Sequence, residues 1–126
     1  MEPEESHRQV FIIDDDIAVC RALRVLLFTY GFTVDTFTST EEFISAVPRG
    51  APGCLVLDIH MPGFNGWETM SHFIISGSSL PVIMISVDKD ELLNGLALKS
   101  GAVGFLQKPI DIQELVDLIN IARGLS

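Results

Sequence analysis

The stretch CLVLDIHMPGFNGW, residues 54–67, decides how this chain is read. Cys54 to Leu57 carry no charge and have the composition of a strand covered on both faces, the form parallel sheets favour. A lone carboxylate, Asp58, closes the run, and Pro62, Gly63 and Gly66 follow it. An acid at the tip of a buried strand needs a reason.

Four further strand-like runs lie on either side: QVFII (9–13), FTVDTF (32–37), VIMIS (82–86) and VGFLQ (103–107). Helix-period segments separate and follow them. The first runs from about residue 17 to 30, with Val19, Ala22, Leu23, Leu26 and Tyr30 on one face and Gly31 at the left-handed stop. Ser39 with Glu42 forms a capping box for a second helix that ends before Pro48. Asn65 caps a third, which buries Trp67, Met70, Phe73 and Ile74. Asp88 with Glu91 opens a fourth, ended by Gly101. Asp111 with Glu114 opens a fifth, which buries Ile112, Leu115, Val116 and Ile119. Strict alternation predicts an α/β fold: one doubly wound, five-stranded parallel sheet with five helices on both faces. The expected strand order is 2-1-3-4-5, flavodoxin-like. Residues 1–8 read as a flexible polar lead and residues 9–126 as a single domain.

The totals agree with this reading. Hydrophobic residues make up 48% of the 126 and mean hydropathy is +0.39. No apolar run reaches the roughly 20 residues of a membrane helix. The acidic start is no secretory signal, so the expected location is cytoplasmic, with no membrane association. Net charge is −9, the wrong sign for direct nucleic-acid binding. Cys20 and Cys54 form no C-x-x-C and read as free, buried thiols. His7, His60 and His72 show no metal-ligand spacing and read as surface or loop residues.

In parallel α/β sheets ligands bind outside the carboxyl ends of the strands. Polar residues stand at four such ends: Asp14 and Asp15, Asp58, Ser86, and Lys108. Three crowded carboxylates repel one another, and a hard divalent cation relieves the repulsion. Asp14, Asp15 and Asp58 therefore predict a magnesium site. Manganese fits similarly, and the backbone carbonyl of His60 is a further candidate ligand. Lys108 offers a compact charge for a phosphoryl group, and Ser86 a hydroxyl donor. This set suits phosphoryl transfer onto an aspartate, with Asp58 as the nucleophile. Singly, each residue has a plainer role: Asp58 as a turn or cap, Ser86 as a cap, Lys108–Pro109 as a loop with a candidate cis bond. Asp16 is assigned only the cap of the first helix. The case rests on all four signals falling at strand ends in the right order.

FIIDDD, LVLDIHMPGFNGW, VIMIS and SGAVGFLQKPI together resemble the response-regulator receiver (CheY-like) domain of two-component signalling, across residues 9–123. The resemblance implies a phosphorelay protein rather than an enzyme, catalysing only its own phosphorylation and dephosphorylation. It makes Asp58 the phosphoacceptor, Asp14 and Asp15 the acidic pair for Mg2+, Ser86 the switch hydroxyl, Lys108 the phosphate-pairing lysine and Phe105 the aromatic switch. His60, Val87 and Asp88 occupy positions that tune hydrolysis in the family. The implied partners are a sensor histidine kinase or a histidine phosphotransfer protein, with homodimerisation on phosphorylation. The implied output, transcriptional control, is exerted through the face of the fourth helix, fifth strand and fifth helix. Three departures stand out. Ser86 replaces the commoner threonine, Val87 a smaller residue, and Phe105 lacks a tyrosine hydroxyl.

Three other classes compete. A phosphate-independent pseudo-receiver would act as an interaction module, but the acid, hydroxyl and lysine set is complete. An aspartate-nucleophile phosphohydrolase typically shows D-x-D, whereas Ile59 and His60 follow Asp58. A flavodoxin-type flavin binder needs a hydroxyl- and glycine-rich loop where this chain has Asp14, Asp15 and Asp16.

Overall fold

The computed structural model describes residues 8–48, 50–61, 64–65, 80–87, 99 and 101–123, with backbone alone for 60, 61, 64 and 65. Its elements are β1 (Gln9–Ile13), α1 (Ile17–Thr29), β2 (Thr33–Phe37), α2 (Thr40–Ala46), β3 (Cys54–Asp58), β4 (His60–Met61), β5 (Phe64–Asn65), β6 (Val82–Ser86), β7 (Gly104–Gln107) and α3 (Ile112–Ala122). The expected third helix, with Trp67, Met70, Phe73 and Ile74, lies outside the described residues. So does the fourth, apart from Lys99, which is helical.

Five strands form one parallel sheet in the order β2-β1-β3-β6-β7. Setting aside the short pair β4–β5, this is the order 2-1-3-4-5. The strand order reverses direction between β1 and β3, which opens the crevice where a doubly wound sheet binds ligands.

Alternation along each strand builds two cores. Val10, Ile12, Val56, Ile83, Ile85 and Leu106 face α1 and α3, meeting Cys20, Leu23, Leu27, Leu115, Val116 and Ile119. Phe11, Ile13, Leu55, Leu57, Val82 and Met84 face the other way, with Phe37 of β2 and Phe43 of α2. There Phe43 stands edge-on to Phe11 and Phe37, at centroid distances of 5.5 and 5.4 Å. Complete burial of β3 and β6 follows from having a layer on each side.

The helix ends obey their caps. The Asp16 carboxylate accepts from the Ala18 and Val19 amides, and Asp111 accepts from Gln113 and Glu114. Ser39 accepts from the Glu42 amide, while the Glu42 carboxylate takes a hydrogen bond from the Thr38 hydroxyl. Gly31 closes α1 at φ +90°.

Two expectations are corrected. The buried face of α1 is Cys20, Leu23 and Leu27; Ala22, Leu26 and Tyr30 are exposed. The helix is apolar around much of its circumference, so periodicity left the phase open and contact with the sheet chose it. In addition, residues expected to be loop up to a cap at Asn65 instead form an antiparallel pair, His60 with Asn65 and Met61 with Phe64.

Candidate functional site

Each site residue is delivered by the end of a strand. Asp14 follows β1 and is tied across the sheet by its amide, which donates to the Phe37 carbonyl at 3.0 Å. Asp58 is the last residue of β3 and Ser86 the last of β6. Lys108 follows β7, where its amide donates to the Ser86 carbonyl at 2.7 Å. The Lys108–Pro109 peptide is cis.

Asp14, Asp58 and Ser86 are buried, whereas Asp15 is exposed. One carboxylate oxygen from each of Asp14, Asp15 and Asp58 lies within 4.8 Å of the others. The Lys108 ammonium enters this cluster and sits 2.7 Å from Asp14 Oδ2 and 3.2 Å from Asp58 Oδ2. Burial by itself would lower the lysine pKa. The charges and contacts of Asp14 and Asp58 outweigh it, so the net shift is upward.

The two oxygens of Asp14 differ. Oδ1 accepts the Asp16 amide at 2.9 Å and is committed to the loop. Oδ2 is fully buried and has no donor at hydrogen-bonding angles, so its short contact with Lys108 is charge pairing rather than an aligned hydrogen bond. A buried carboxylate oxygen with unused acceptor capacity, beside two more carboxylates, is a donor set for a hard, oxygen-seeking cation. The residues present therefore fit a divalent ion of the magnesium type.

The sequence reading located Asp14, Asp15, Asp58, Ser86 and Lys108, and the fold brings these strand ends to one edge of the sheet. Val87 is exposed at the tip of β6. Phe105 is half-buried against the core on the α2 face and stands opposite Met84. The side chain of His60 and all of Asp88 lie outside the described residues. Two contacts had no sequence signal. One is the Lys108–Asp14 pair. The other is the Cys20 thiol, which donates to the Asp14 carbonyl at 3.3 Å from one turn into α1. Burial, then the charges of Asp14 and Asp16, push this thiol up to about 11, so it remains a protonated donor.

Among the described residues no helix is long and apolar enough to cross a membrane.

Comparison with known proteins agrees with the geometry. The family model described as "Response regulator receiver domain" matches residues 10–120. The response regulator protein TodT of Pseudomonas putida is 38% identical over 117 residues, covering 93% of this chain and 52% of that protein. The transcriptional regulatory protein FixJ of Bradyrhizobium diazoefficiens is 35% identical over 113 residues, covering 90% and 55%. The chain thus spans about half the length of the curated relatives it matches. Among solved structures, the N-terminal part of FixJ superposes with a TM-score of 0.85 at 30% identity, covering 98% of this chain and 96% of that one. The response regulator StyR gives 0.85 at 36% identity, covering 92% and 59%. Receiver domains are signalling domains, and the Asp14, Asp15 and Asp58 cluster is of the kind that forms their metal site. With the sheet order, the acidic crevice and the family match in agreement, this chain belongs to the response regulator receiver domains of two-component systems.

Proposed function

We propose that this chain accepts a phosphoryl group on Asp58 from the phosphohistidine of a sensor histidine kinase or a histidine phosphotransfer protein. The observation that carries the reading is the buried Asp58 carboxylate at the end of β3, 3.2 Å from the Lys108 ammonium and beside two further acids. A carboxylate oxygen of Asp58 attacks phosphorus, the P–N bond to the donor imidazole breaks, and the imidazole leaves with a proton. Lys108 balances charge on the phosphoryl oxygens, and Ser86 donates a hydrogen bond to them. Asp14, Asp15 and Asp58 would hold Mg2+, or Mn2+ in its place, with the His60 carbonyl as a further ligand. The ion supplies neutralisation of the charge that gathers on the transferring group.

Phosphorylation adds charge and acceptor oxygens at Asp58. Ser86 turns toward them, and Phe105 rotates into the space released. This repacks the face made by the expected helix before Gly101, β7 and α3. The ensemble shifts to a form that homodimerises or engages an output partner. The relatives' names, response regulator and transcriptional regulatory protein, favour transcriptional control as the output. His60, Val87 and Asp88 set the lifetime of the phosphoryl group. Residues 9–126 act as the receiver unit in the cytoplasm and do not contact nucleic acid themselves.

The test is incubation with acetyl phosphate and Mg2+, followed by intact-mass analysis. One added phosphoryl group, absent in Asp58→Asn, is expected. No gain by the wild type would favour the phosphate-independent interaction module instead.

A further inference from the structure

We infer that the open edge of β2, together with the groove beside it, is a docking site for an extended peptide segment of another protein. The segment it fits presents a basic side chain between apolar ones.

β2 ends the sheet and pairs with β1 alone among the described strands. The Phe37 carbonyl accepts the Asp14 amide, so Phe37 turns its main-chain groups toward β1. Alternation turns those of Asp35 the same way and those of Val34 and Thr36 outward. Two residues thus offer N–H and C=O groups to an added strand, the contact through which sheet edges take up extended peptides.

Beside that edge lies a groove of about 700 Å3. Gln9, Asp35 and Phe37 line it from the sheet, and Val47, Pro48 and Ala51 from the chain between α2 and β3. It exists because α2 has only seven residues and stops before Pro48, leaving this part of the sheet without a helix over it. The Ala51 amide donates to the Pro48 carbonyl at 3.0 Å, which turns the chain back and holds the far wall. Thr36 and Arg24 of α1 complete the lining, so the groove passes over the edge of β2.

Charge selects the occupant. Asp35 is exposed at the centre of β2, and its Oδ2 accepts the Gln9 side-chain amide at 3.0 Å, leaving Oδ1 for a further donor. A second copy of this chain is disfavoured. Antiparallel pairing of two β2 edges through both Val34 and Thr36 sets residue 35 opposite residue 35, and the two carboxylates repel. A net charge of −9 on each copy opposes the same approach. A lysine or arginine opposite Asp35 reverses the sign of that contact. Positions two residues to either side of it share its face of the added strand. They run along the groove with its Phe37, Val47 and Pro48 walls and suit apolar side chains.

The test titrates the full chain with acetyl-Val-Thr-Lys-Thr-Val-amide, whose pattern reads the same in either strand direction, and with the same peptide carrying Glu in place of Lys. Amide NMR follows the Val34 and Thr36 signals and their hydrogen exchange. The lysine peptide is expected to shift both signals saturably and to slow their exchange. The glutamate peptide is expected to bind about fivefold more weakly, the order of one cross-strand charge pair, and Asp35→Asn to bring the two peptides level. No shift of these signals at millimolar lysine peptide would overturn the inference. Equal binding of the two peptides by the wild type would do so as well, leaving Asp35 as a guard of the edge alone. So would slow exchange of both amides before any peptide is added: independent of protein concentration, it would mean that the chain covers its own edge. If it grew with concentration alongside a doubled mass by light scattering, the occupant would be a second copy.

Discussion

Lys108 Nζ lies closer to Asp14 than to Asp58, 2.7 Å against 3.2 Å, so one ammonium bridges two acids carried by different strand ends. The bridge joins the end of β7 to the ends of β1 and β3, across β6. It is both a charge device of the site and a tie across the sheet.

Removing that tie should destabilise the protein. Lys108→Ala leaves Asp14 and Asp58 buried together without their cation, and without divalent ions we expect a loss of about 3 kcal/mol of unfolding free energy. Urea denaturation in EDTA measures it. The folded pKa of Lys108 is raised above the ordinary 10.5, so the contribution is complete below that value and disappears as pH rises through the higher folded value. The gap between the wild-type and variant midpoints should hold from neutrality to about pH 10 and close only above it.

Gly53 enters β3 at φ +140°, and an added Cβ would lie 2.8 Å from the Gln9 carbonyl oxygen. Gly53→Ala therefore combines backbone strain with a clash against β1, next to the Val10–Cys54 pairing. A loss of about 1–3 kcal/mol is expected. Gly50 has open space around it, and Gly50→Ala should stay within about 0.5 kcal/mol. Equal melting temperatures for the two variants would contradict this account.

The thiols should be silent in the native protein. Burial pushes Cys54 up to about 12, and burial with nearby acids pushes Cys20 up to about 11. Ellman's reagent at neutral pH should label neither until urea is added, and then both. Unfolded thiols ionise from about 9, so these two groups cost stability progressively as pH rises above that value. Cys54→Ala should flatten that alkaline decline.

Val87 follows Ser86 at the tip of β6 and its apolar side chain is 62% exposed. Under the proposed function it would crowd water approaching a phosphoryl group on Asp58. Val87→Ala should lose its phosphoryl group faster than wild type, read by intact mass over time. Identical decay rates would remove this role.

Much of the molecule was legible before any coordinates. Residues 54–57 and the β6 run are uncharged because both faces of their strands are covered, and that composition survives in the sequence as a signal. Caps are legible for a similar reason: the Asp16 and Asp111 side chains bond amides two and three residues ahead, so cause and effect lie within one turn. The α1 face was not. With Ile17, Val25, Leu26 and Phe28 all apolar yet exposed, the helix carries more hydrophobic residues than its contact needs, and no period could select Cys20, Leu23 and Leu27.

The sequence alone determined the order of the five strands of the parallel sheet, the caps of the described helices, and which strand ends carry acid, hydroxyl and amine. Those are properties of short segments, set by local backbone chemistry and side-chain alternation. Tertiary structure alone decided that Lys108 pairs with both Asp14 and Asp58, and more closely with Asp14. Such choices depend on differences of under 1 Å between segments distant along the chain. Strand register and helix packing create those distances, and no local pattern encodes them.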